Sequence, residues 1–520
     1  MYILRAGSEF LPTSVKVDYI VSDLWSALRN RRKRPHIAHL LRTMEENVLK
    51  NALGFTDRFF GITESKSSVR TEILAGITTF ITIAYILILN PQILADPFNI
   101  MGQAEMAGKI ANGVFIGTCL GAFVGTILCA VYARVPFAQA PGMGLNAFFA
   151  YTVVLGMGYT YGEALVIVFL SGIFFIVITA IGLREAIIKS IPDAIKNAIT
   201  PGIGLFITII GLKNAGLVVA NPATLVSMVD FAQWRTEGAD MILICGALVA
   251  VIGLLVMGVL HAKHVKGSIL IGIVVATIAG IPLGVTHVNN LDFNLGTKFS
   301  DFMQVSFMHM DFAGILKGDS IINSLFTVFM LVISFSLVNM FDSIGTLLGA
   351  AKQSGMVDEN GEVIRMKQAL MSDAISTAAG AMLGTSTVTT VVESSAGIAE
   401  GGRTGLTSLV TSILFLAAIL FAPIVNIVPA QATAPALIFV GILMLSNIKA
   451  VDFSDMTDAL PAFCTIVFMP FTYSIANGIA VGLITYCIIK ITTGKKNEVQ
   501  GLALAVAAVF IVRYAFMTMG

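Results

Sequence analysis

Residues 135–146 read Val-Pro-Phe-Ala-Gln-Ala-Pro-Gly-Met-Gly-Leu-Asn, within an otherwise apolar part of the chain. Two prolines and two glycines within residues 136–144 prevent a continuous helix there. A second irregular stretch, residues 385–392, reads Thr-Ser-Thr-Val-Thr-Thr-Val-Val, and this β-branched run favours an extended strand. At membrane depth, unwound backbone is tolerated only where it lines a cavity. The two stretches therefore predict a pocket between two short strands, each followed by a half-helix.

The composition indicates a polytopic membrane protein. The 520 residues are 56% hydrophobic and 12% charged, whereas a soluble domain carries about 25% charged residues. The net charge of +1 gives no electrostatic footprint for nucleic acid, so none is expected as a partner. The five cysteines lack metal-ligand spacing and the six histidines form no cluster, so we expect no metal site and no cofactor.

Runs of about 20 mostly apolar residues predict fourteen membrane-crossing segments, seven on each side of a polar connection near residues 287–319. A repeat with an odd number of crossings ends on the side opposite its start, so its copy must insert upside down. We therefore predict an all-α membrane protein with 14 transmembrane segments in a 7+7 inverted repeat, and with short strands in segments 3 and 10. The segments lie near residues 72–94, 110–133, 139–156, 162–182, 196–212, 239–260, 267–286, 321–350, 368–384, 385–400, 404–423, 431–447, 458–473 and 475–491.

The segments also predict the domain boundaries. Residues 1–43 contain a basic cluster and no run long enough to span, and Met44 resembles a natural start, so we expect this part to be an upstream extension. The apolar residues 501–520 are either a fifteenth crossing or a helix lying in the membrane interface. The predicted parts are residues 1–57 as an N-terminal extension outside the fold, 58–286 as the first repeat, 287–320 as the connecting loop, 321–492 as the second repeat and 493–520 as a C-terminal tail or extra helix.

Basic residues in the short loops predict the orientation, because cytoplasmic loops carry an excess of Lys and Arg. With fourteen crossings, the loop cations that follow even-numbered segments fall on one side. We therefore expect both termini of the fold to face the cytoplasm, in the inner (cytoplasmic) membrane. Representative members of this set are Arg134, Lys196, Lys263, Arg403 and Lys490.

Two carboxylates lie where a bilayer should exclude them. Asp342 ends a charge-free run over residues 321–341, and Glu393 follows an uncharged run over residues 374–392. An ionised acid at bilayer depth costs roughly 2.5–3.5 kcal/mol on insertion scales, so it is usually kept for a substrate, an ion or a proton. The two acids are therefore the first candidates for the functional site.

Five short motifs, each weak alone, together carry a family resemblance. They are Ala75–Phe80 with Asn90-Pro91, Ala140–Ala147, Phe341–Thr346, Glu393–Gly397 and Met469–Ala476. Over roughly residues 58–492 the chain resembles the purine permeases of the azaguanine/adenine/guanine/hypoxanthine branch of the nucleobase–cation symporters. The uracil and xanthine branches are similar in fold, but the shorter Asp342 and the residues around Asn146 favour the purine branch.

The resemblance implies a core domain of segments one to four and eight to eleven, which holds the base. It implies a gate domain of segments five to seven and twelve to fourteen, against which the core moves. It also implies proton-coupled uptake of a purine nucleobase, a lipid bilayer as surroundings, and a homodimer as one permitted assembly. Asp342, Glu393 and Asn146 match the family's essential acids of segments eight and ten and its polar residue of segment three.

Each candidate residue also has a structural interpretation. Glu393 could cap the half-helix that follows the second strand, and Asp342 could hold neighbouring hydroxyls such as that of Ser343. As functional groups, an ionised Glu393 would accept two N–H bonds from a base edge, or when protonated donate to a ring nitrogen. Either acid, or the two as a pair, would carry the coupling proton.

The remaining candidate residues each have two alternative roles or a structural one. Asn146 either caps a helix or hydrogen-bonds the base or an acid, and Thr390 and Ser394 either satisfy strand ends or contact substrate. Asp373 lies near the start of segment nine and is expected to be an acid at a helix N-terminus. The predicted substrate-binding set is therefore Glu393, Asp342, Asn146, Thr390 and Ser394, with proton coupling by Asp342 and Glu393.

The predicted function is secondary active transport, not enzymatic catalysis: import of hypoxanthine, guanine or adenine with a proton. The first alternative keeps the fold and carries an anion, uracil or xanthine. An intramembrane aspartyl protease requires two aspartates, whereas this chain offers Asp342 and a glutamate. A channel is the third alternative, although interrupted helices suit alternating access better. The order of preference among purines, proton against sodium coupling, and the oligomeric state stay open.

Overall fold

The protein is described from a computed structural model. Within it, the chain divides into two compact units, Met1–Val69 and Arg70–Gly520. The predicted extension at residues 1–43 lies outside the described residues. In the part of the first unit that is described, Asp57 accepts hydrogen bonds from the backbone N–H and the hydroxyl of Thr63. The structure describes residues 54, 56–182, 191–235, 240–288, 294–316, 321–354, 364–425 and 427–516.

The second unit is a multi-pass helical membrane protein. Among the described residues, eight helices are long and apolar enough to cross a membrane, and five shorter apolar helices accompany them. Each of the fourteen predicted segments contains regular structure close to its predicted bounds. The eight long spans are Val69–Ile100, Ala104–Ala133, Tyr161–Ala180, Asp193–Asn214, Met241–Ala262, Ile321–Met340, Ala430–Ala450 and Ile475–Thr492.

The elements of the chain up to residue 288 alternate between long helices and short interruptions. The helix over Ala104–Leu128 continues as a π-helical turn over Cys129–Ala133, and the short helix over Met143–Ala147 continues as a π-helix over Phe148–Gly156. In chain order the elements are α1 Val69–Ile83, α2 Ile86–Ile100, α3 Ala104–Leu128, β1 Gln139–Pro141, α4 Met143–Ala147, α5 Tyr161–Ala180, α6 Asp193–Asn214, β2 Val218–Asn221, β3 Leu225–Met228, α7 Met241–Ala262 and α8 Ser268–Gly280.

The elements after residue 293 follow a similar plan. Short 3₁₀ turns extend the ends of two of these helices, over Ala418–Phe421 and Ser446–Ala450. In chain order they are α9 Leu295–Asp301, α10 Ile321–Ser354, α11 Met366–Met382, β4 Val388–Thr390, α12 Ser394–Ala399, α13 Gly405–Ala417, α14 Ala422–Val425, α15 Ala430–Leu445, α16 Met456–Phe471, α17 Ile475–Thr492 and α18 Gly501–Phe516.

The two short strands predicted from the irregular stretches are present, and they pair with each other. Strands β1 and β4 are antiparallel and fully buried, with Gln139 opposite Thr390 and Pro141 opposite Val388. The ladder is extended by a hydrogen bond of 3.1 Å from Gly142 N to the Thr387 carbonyl. Each strand leads directly into a half-helix, α4 or α12. The two interrupted segments therefore meet at one shared ladder.

The helices form two bundles. The strand bundle consists of α1–α5, α10–α13, β1 and β4, with α1 against α12 and α13, and the flanking bundle consists of α6–α8 and α15–α17. Within the flanking bundle, α6 packs against α15 and α16, and α7 packs against α8 and α15. The bundles meet where α6 lies against α4 and α10, and where α15 lies against α2.

A glycine pair lets α6 and α15 approach to backbone contact. A Cβ added at Gly441 would lie 2.5 Å from the Gly204 carbonyl oxygen, and one added at Gly204 would lie 2.8 Å from the Gly441 carbonyl oxygen. Small residues at such crossings are typical of membrane helices, because lipid supplies no hydrophobic force that drives helices together. This crossing joins helices from the two halves of the sequence within the flanking bundle.

Three further features complete the fold, and one of them, the helix in the predicted connecting loop, differs from the sequence expectation. The predicted connecting loop at residues 287–320 contains helix α9, whose Lys298 is buried and donates 3.0 Å to the Ala422 carbonyl. A β-hairpin of β2 and β3, too short and too exposed for an alternating pattern to reveal it, lies between α6 and α7. Helix α18 packs on α17, where Tyr514 donates 3.0 Å to Asn477 Oδ1.

We predict that Gly441→Leu destabilises the protein by about 1–3 kcal/mol or more, because the added side chain overpacks the α6–α15 crossing. The matched control is Gly258→Leu on α7, where no atom lies within 4 Å of an added Cβ. Thermal unfolding in detergent measures the difference. Equal melting temperatures for the two variants would show that the glycine crossing contributes nothing.

Candidate functional site

A cavity of about 770 Å³ lies between the two bundles. Asp342, Thr390 and Glu393 line it from the strand bundle, together with Tyr85 and Gly142. From the flanking bundle it is lined by residues of α6, α7, α8 and α15. Both predicted acids therefore face one cavity, at the place where the ladder passes into its half-helices.

Glu393 lies between β4 and α12, and the transition from strand to helix positions its side chain. Strand β4 ends at Thr390 and α12 begins at Ser394, so Glu393 occupies the N-cap position of a six-residue helix. Its side chain makes no capping hydrogen bond. Instead it accepts a 2.6 Å hydrogen bond from the hydroxyl of Tyr85, which lies in the break between α1 and α2. The capping interpretation is wrong, and the carboxylate is held at the cavity wall.

Asp342 reaches the same cavity from the long helix α10. The neighbouring position on the ladder side is Gly142, where an added Cβ would lie 2.9 Å from Thr389 Cγ2 and 3.8 Å from Asp342 Oδ2. A side chain at residue 142 would therefore crowd β4, and its Cβ would lie in ordinary van der Waals contact with the carboxylate. The glycine leaves the start of α4 open to the acid.

A third buried acid, Asp373, hydrogen-bonds to residues next to Asp342 and at the end of the strand that leads to Glu393. The sequence interpretation of Asp373 as an acid at a helix N-terminus is wrong, because it lies in the middle of α11 and is fully buried. It accepts hydrogen bonds of 2.5 Å from Ser343 Oγ, 2.9 Å from Thr389 Oγ1 and 2.8 Å from the Thr390 backbone N–H. Asp373 thus ties α10 and β4 to α11. The hydroxyl of Ser343, which Asp342 was thought to hold, bonds to Asp373.

The other predicted residues are placed differently from one another. Thr390 lines the cavity. Asn146 is fully buried and donates 2.6 Å to Asn90 Oδ1, and it is not among the residues that line the cavity. Ser394 is also behind the wall, where its hydroxyl accepts a 3.0 Å hydrogen bond from Ala138 N. The structure therefore brings Thr390 together with the two acids and sets Asn146 and Ser394 one layer back.

Two kinds of lining residue were missed by sequence reasoning. Tyr85 carries a polar group in an apolar run just before Asn90-Pro91, and that signal could have drawn attention to it. The flanking-bundle lining includes Lys196, His261 and Asn447, which no motif connects to the acids. These residues lie near the acids because the two bundles pack together, and the spacing of residues in the sequence does not predict that packing.

Comparison with solved structures supports the architecture. The structure is similar to the transmembrane domain of a cyanobacterium bicarbonate transporter, BicA, with a TM-score of 0.55 and 16% identity, covering 79% of this chain and 97% of that one. It is also similar to a murine anion transporter, Slc26a9, in an inward-facing state, with a TM-score of 0.55 and 14% identity, covering 85% of this chain and 72% of that one. These likenesses show the fold alone.

Curated relatives are much closer in sequence. Adenine permease AdeP of Escherichia coli (strain K12) is 39% identical over 464 residues, which is 89% of this chain and 97% of the relative. Guanine/hypoxanthine permease PbuG of Bacillus subtilis (strain 168) is 40% identical over 462 residues, or 88% and 99%. A putative permease of Methanocaldococcus jannaschii, MJ0326, is 41% identical over 464 residues, or 89% and 99%. Because residues 70–481 also match the Permease family (Xan_ur_permease), this chain belongs to that family.

Proposed function

We propose that this chain is a secondary active transporter that imports purine nucleobases, namely hypoxanthine, guanine and adenine, by proton symport. The observation that carries the proposal is the 770 Å³ cavity between the two bundles, which both Asp342 and Glu393 line. The relatives named adenine and guanine/hypoxanthine permeases, aligned over most of the chain, support the same substrate class. An acid at membrane depth is usually kept for a substrate, an ion or a proton.

The proposed architecture is a 7+7 inverted repeat of fourteen segments, with residues 58–286 and 321–492 as its halves. Pairing of β1 with β4 supports it, because each strand lies in the third segment of its half. The strand bundle corresponds to the core domain and the flanking bundle to the gate domain. The proposal also has both termini of the fold in the cytoplasm and the protein in the inner membrane, and the loop cations support this orientation. The cavity, which Lys196 and Asn447 also line, then opens to the cytoplasm.

The cavity chemistry suits a purine. A purine is a flat apolar ring with N–H groups and ring nitrogens at its edge. Glu393 would read that edge, as an acceptor of two N–H bonds when ionised or as a donor when protonated. Ile86, Val440 and Leu443 supply apolar wall for the ring faces. The volume of about 770 Å³ lies in the usual range for small-molecule sites.

Coupling follows from the charge of the site. Two carboxylates in one low-dielectric cavity repel each other, so uptake of a proton by the Asp342/Glu393 pair lowers the charge that must move across the membrane. We propose that the protonated pair, with one negative charge left, and the bound base travel together as the strand bundle slides against the flanking bundle. An inorganic anion is disfavoured as cargo, because two carboxylates line the cavity that would hold it.

Uptake of radiolabelled hypoxanthine into cells that express the protein tests the proposal. We expect saturable uptake that competing guanine or adenine lowers and that a protonophore abolishes. Competition by sulfate in place of purines would support the anion alternative, and competition by uracil or xanthine would support the other branches. Uptake that persists with the protonophore but requires sodium would refute proton coupling.

We predict that Asp342→Ala and Glu393→Ala each lower hypoxanthine uptake by at least about a hundredfold, because a charge-assisted contact or the proton carrier is lost. The protein should still reach the membrane and elute as a single species in detergent. The matched control is Glu105→Ala, whose acid lies on an exposed helix end and pairs with Lys109. Normal uptake by either cavity variant would remove that acid from the mechanism.

We predict that Tyr85→Phe raises the KM for hypoxanthine roughly tenfold to a hundredfold, since a hydrogen bond to a charged group contributes about 1.5–3 kcal/mol. The change removes the 2.6 Å hydrogen bond to Glu393 and keeps the ring. Tyr132→Phe, at a side chain that is 51% exposed, is the control. An unchanged KM would mean that Tyr85 does not position the carboxylate.

A further inference from the structure

At the ends of the bundles opposite Lys196 and Asn447, hydrogen bonds join one bundle to the other. Tyr151, in the π-helix after α4, accepts a 3.1 Å hydrogen bond from Asn214 Nδ2 at the end of α6. The next residue, Thr152, donates 2.7 Å to the Tyr473 carbonyl after α16. Both contacts cross from the strand bundle to the flanking bundle.

A second pair of hydrogen bonds crosses at α2. Gln92 donates 2.8 Å from Nε2 to the Val428 carbonyl, just before α15. Its Oε1 accepts a hydrogen bond from the hydroxyl of Thr433, in the first turn of α15. One amide side chain therefore contacts the same end of α15 through both of its polar atoms.

Tyr151 is the central residue of this set. It is 4% exposed, and its hydroxyl donates 2.7 Å to Asp96 Oδ2 on α2 while accepting from Asn214. Lys213 Nζ lies 5.9 Å from the centroid of the Tyr151 ring. The Tyr151 hydroxyl therefore donates to an acid on its own bundle and accepts from an amide on the other bundle. One oxygen atom thus joins the two bundles.

The region around these contacts is not fully packed. A cavity of about 580 Å³ is lined by Gln92, Asp96, Asn214 and Thr433 and by apolar residues of α2, α3 and α15. Polar side chains that meet beside a cavity can separate without breaking a close-packed core. The contacts are therefore placed where two bundles could part.

We propose that the hydrogen bonds of Tyr151, Thr152 and Gln92 to the flanking bundle form a latch, which holds the bundles closed at this face and must open in each transport cycle. The inference deepens the proposed function, because it assumes that the bundles move past each other. It assigns the present arrangement to a state open on the side of Lys196 and closed on the side of Tyr151. Opening the latch would widen the 580 Å³ cavity between the two bundles.

The test measures access to each face separately. Ala111→Cys places a thiol in the lining of the latch cavity, and Val440→Cys places one in the lining of the acid cavity. A membrane-impermeant maleimide is applied to intact cells and to inside-out vesicles, and labelling of the chain with native cysteines alone is subtracted. Tyr151→Phe removes both hydrogen bonds of the hydroxyl and keeps the ring.

We expect Tyr151→Phe to raise labelling of the Ala111→Cys thiol in intact cells about tenfold and to lower labelling of the Val440→Cys thiol in vesicles, because lost cross-bundle bonds shift the population between two states. Tyr159→Phe is the matched control: it lies a few residues further along the same chain segment, with no hydrogen bond to its hydroxyl among the described contacts. Asn214→Ala, which removes the flanking-bundle partner, should give the same shift if Tyr151→Phe folds poorly.

Two results separate this inference from the proposed function. Unchanged labelling of both introduced thiols in Tyr151→Phe and Asn214→Ala, with normal hypoxanthine uptake, would overturn the latch and leave the function intact. A labelling shift in a protein that takes up no purine would support the latch and refute the substrate. A lower melting temperature without any labelling shift would mean that the contacts are permanent, and would also overturn the latch.

Discussion

Two interrupted spans inside a bilayer expose peptide groups that water cannot reach, and the ladder between β1 and β4 is what satisfies them. Only three residue pairs form it, from Gln139 opposite Thr390 to Pro141 opposite Val388. Yet the ladder determines where α4 and α12 begin, and hence where Glu393 and Gly142 face the cavity. Without the pairing, neither half-helix would have a defined start, and the acids would have no common cavity.

The buried carboxylates are of two kinds: some are hydrogen-bonded within the protein and hold its structure, and others line the cavity. Glu72 accepts from Arg403 N, Thr404 N and the Thr407 hydroxyl, and so holds the start of α13. Asp373 is surrounded in the same way by hydroxyls and a backbone N–H of α10 and β4. Such acids are compensated within the protein, as buried charges must be. Asp342 and Glu393 differ because they line a cavity large enough for a substrate, which is why we assign the transport chemistry to them.

The sequence was sufficient for features that depend on neighbours along the chain. Prolines, glycines and β-branched residues located both strands, and charge-free runs ending in Asp342 and Glu393 located the acids. It was not sufficient for features that depend on distant partners. Tyr85 meets Glu393 across 308 residues, and Asp373 gained its role from residues of two other elements. Asn146, which the sequence predicts at the site, donates to Asn90 and does not line the cavity, and no local pattern distinguishes these positions. The two hydrogen bonds of Gln92 to the chain near α15 could not be predicted from the sequence either.

The ladder also imposes an order on biosynthesis. Pro141 pairs with Val388, which follows it in the chain by 247 residues. At roughly 5–20 residues per second, a ribosome needs on the order of 10–50 s to supply the second strand after the first. Throughout that interval the first broken crossing has no partner for its peptide groups. The nascent protein must therefore shelter that crossing beside the insertion machinery or other early helices, and its central architecture can close only late in translation.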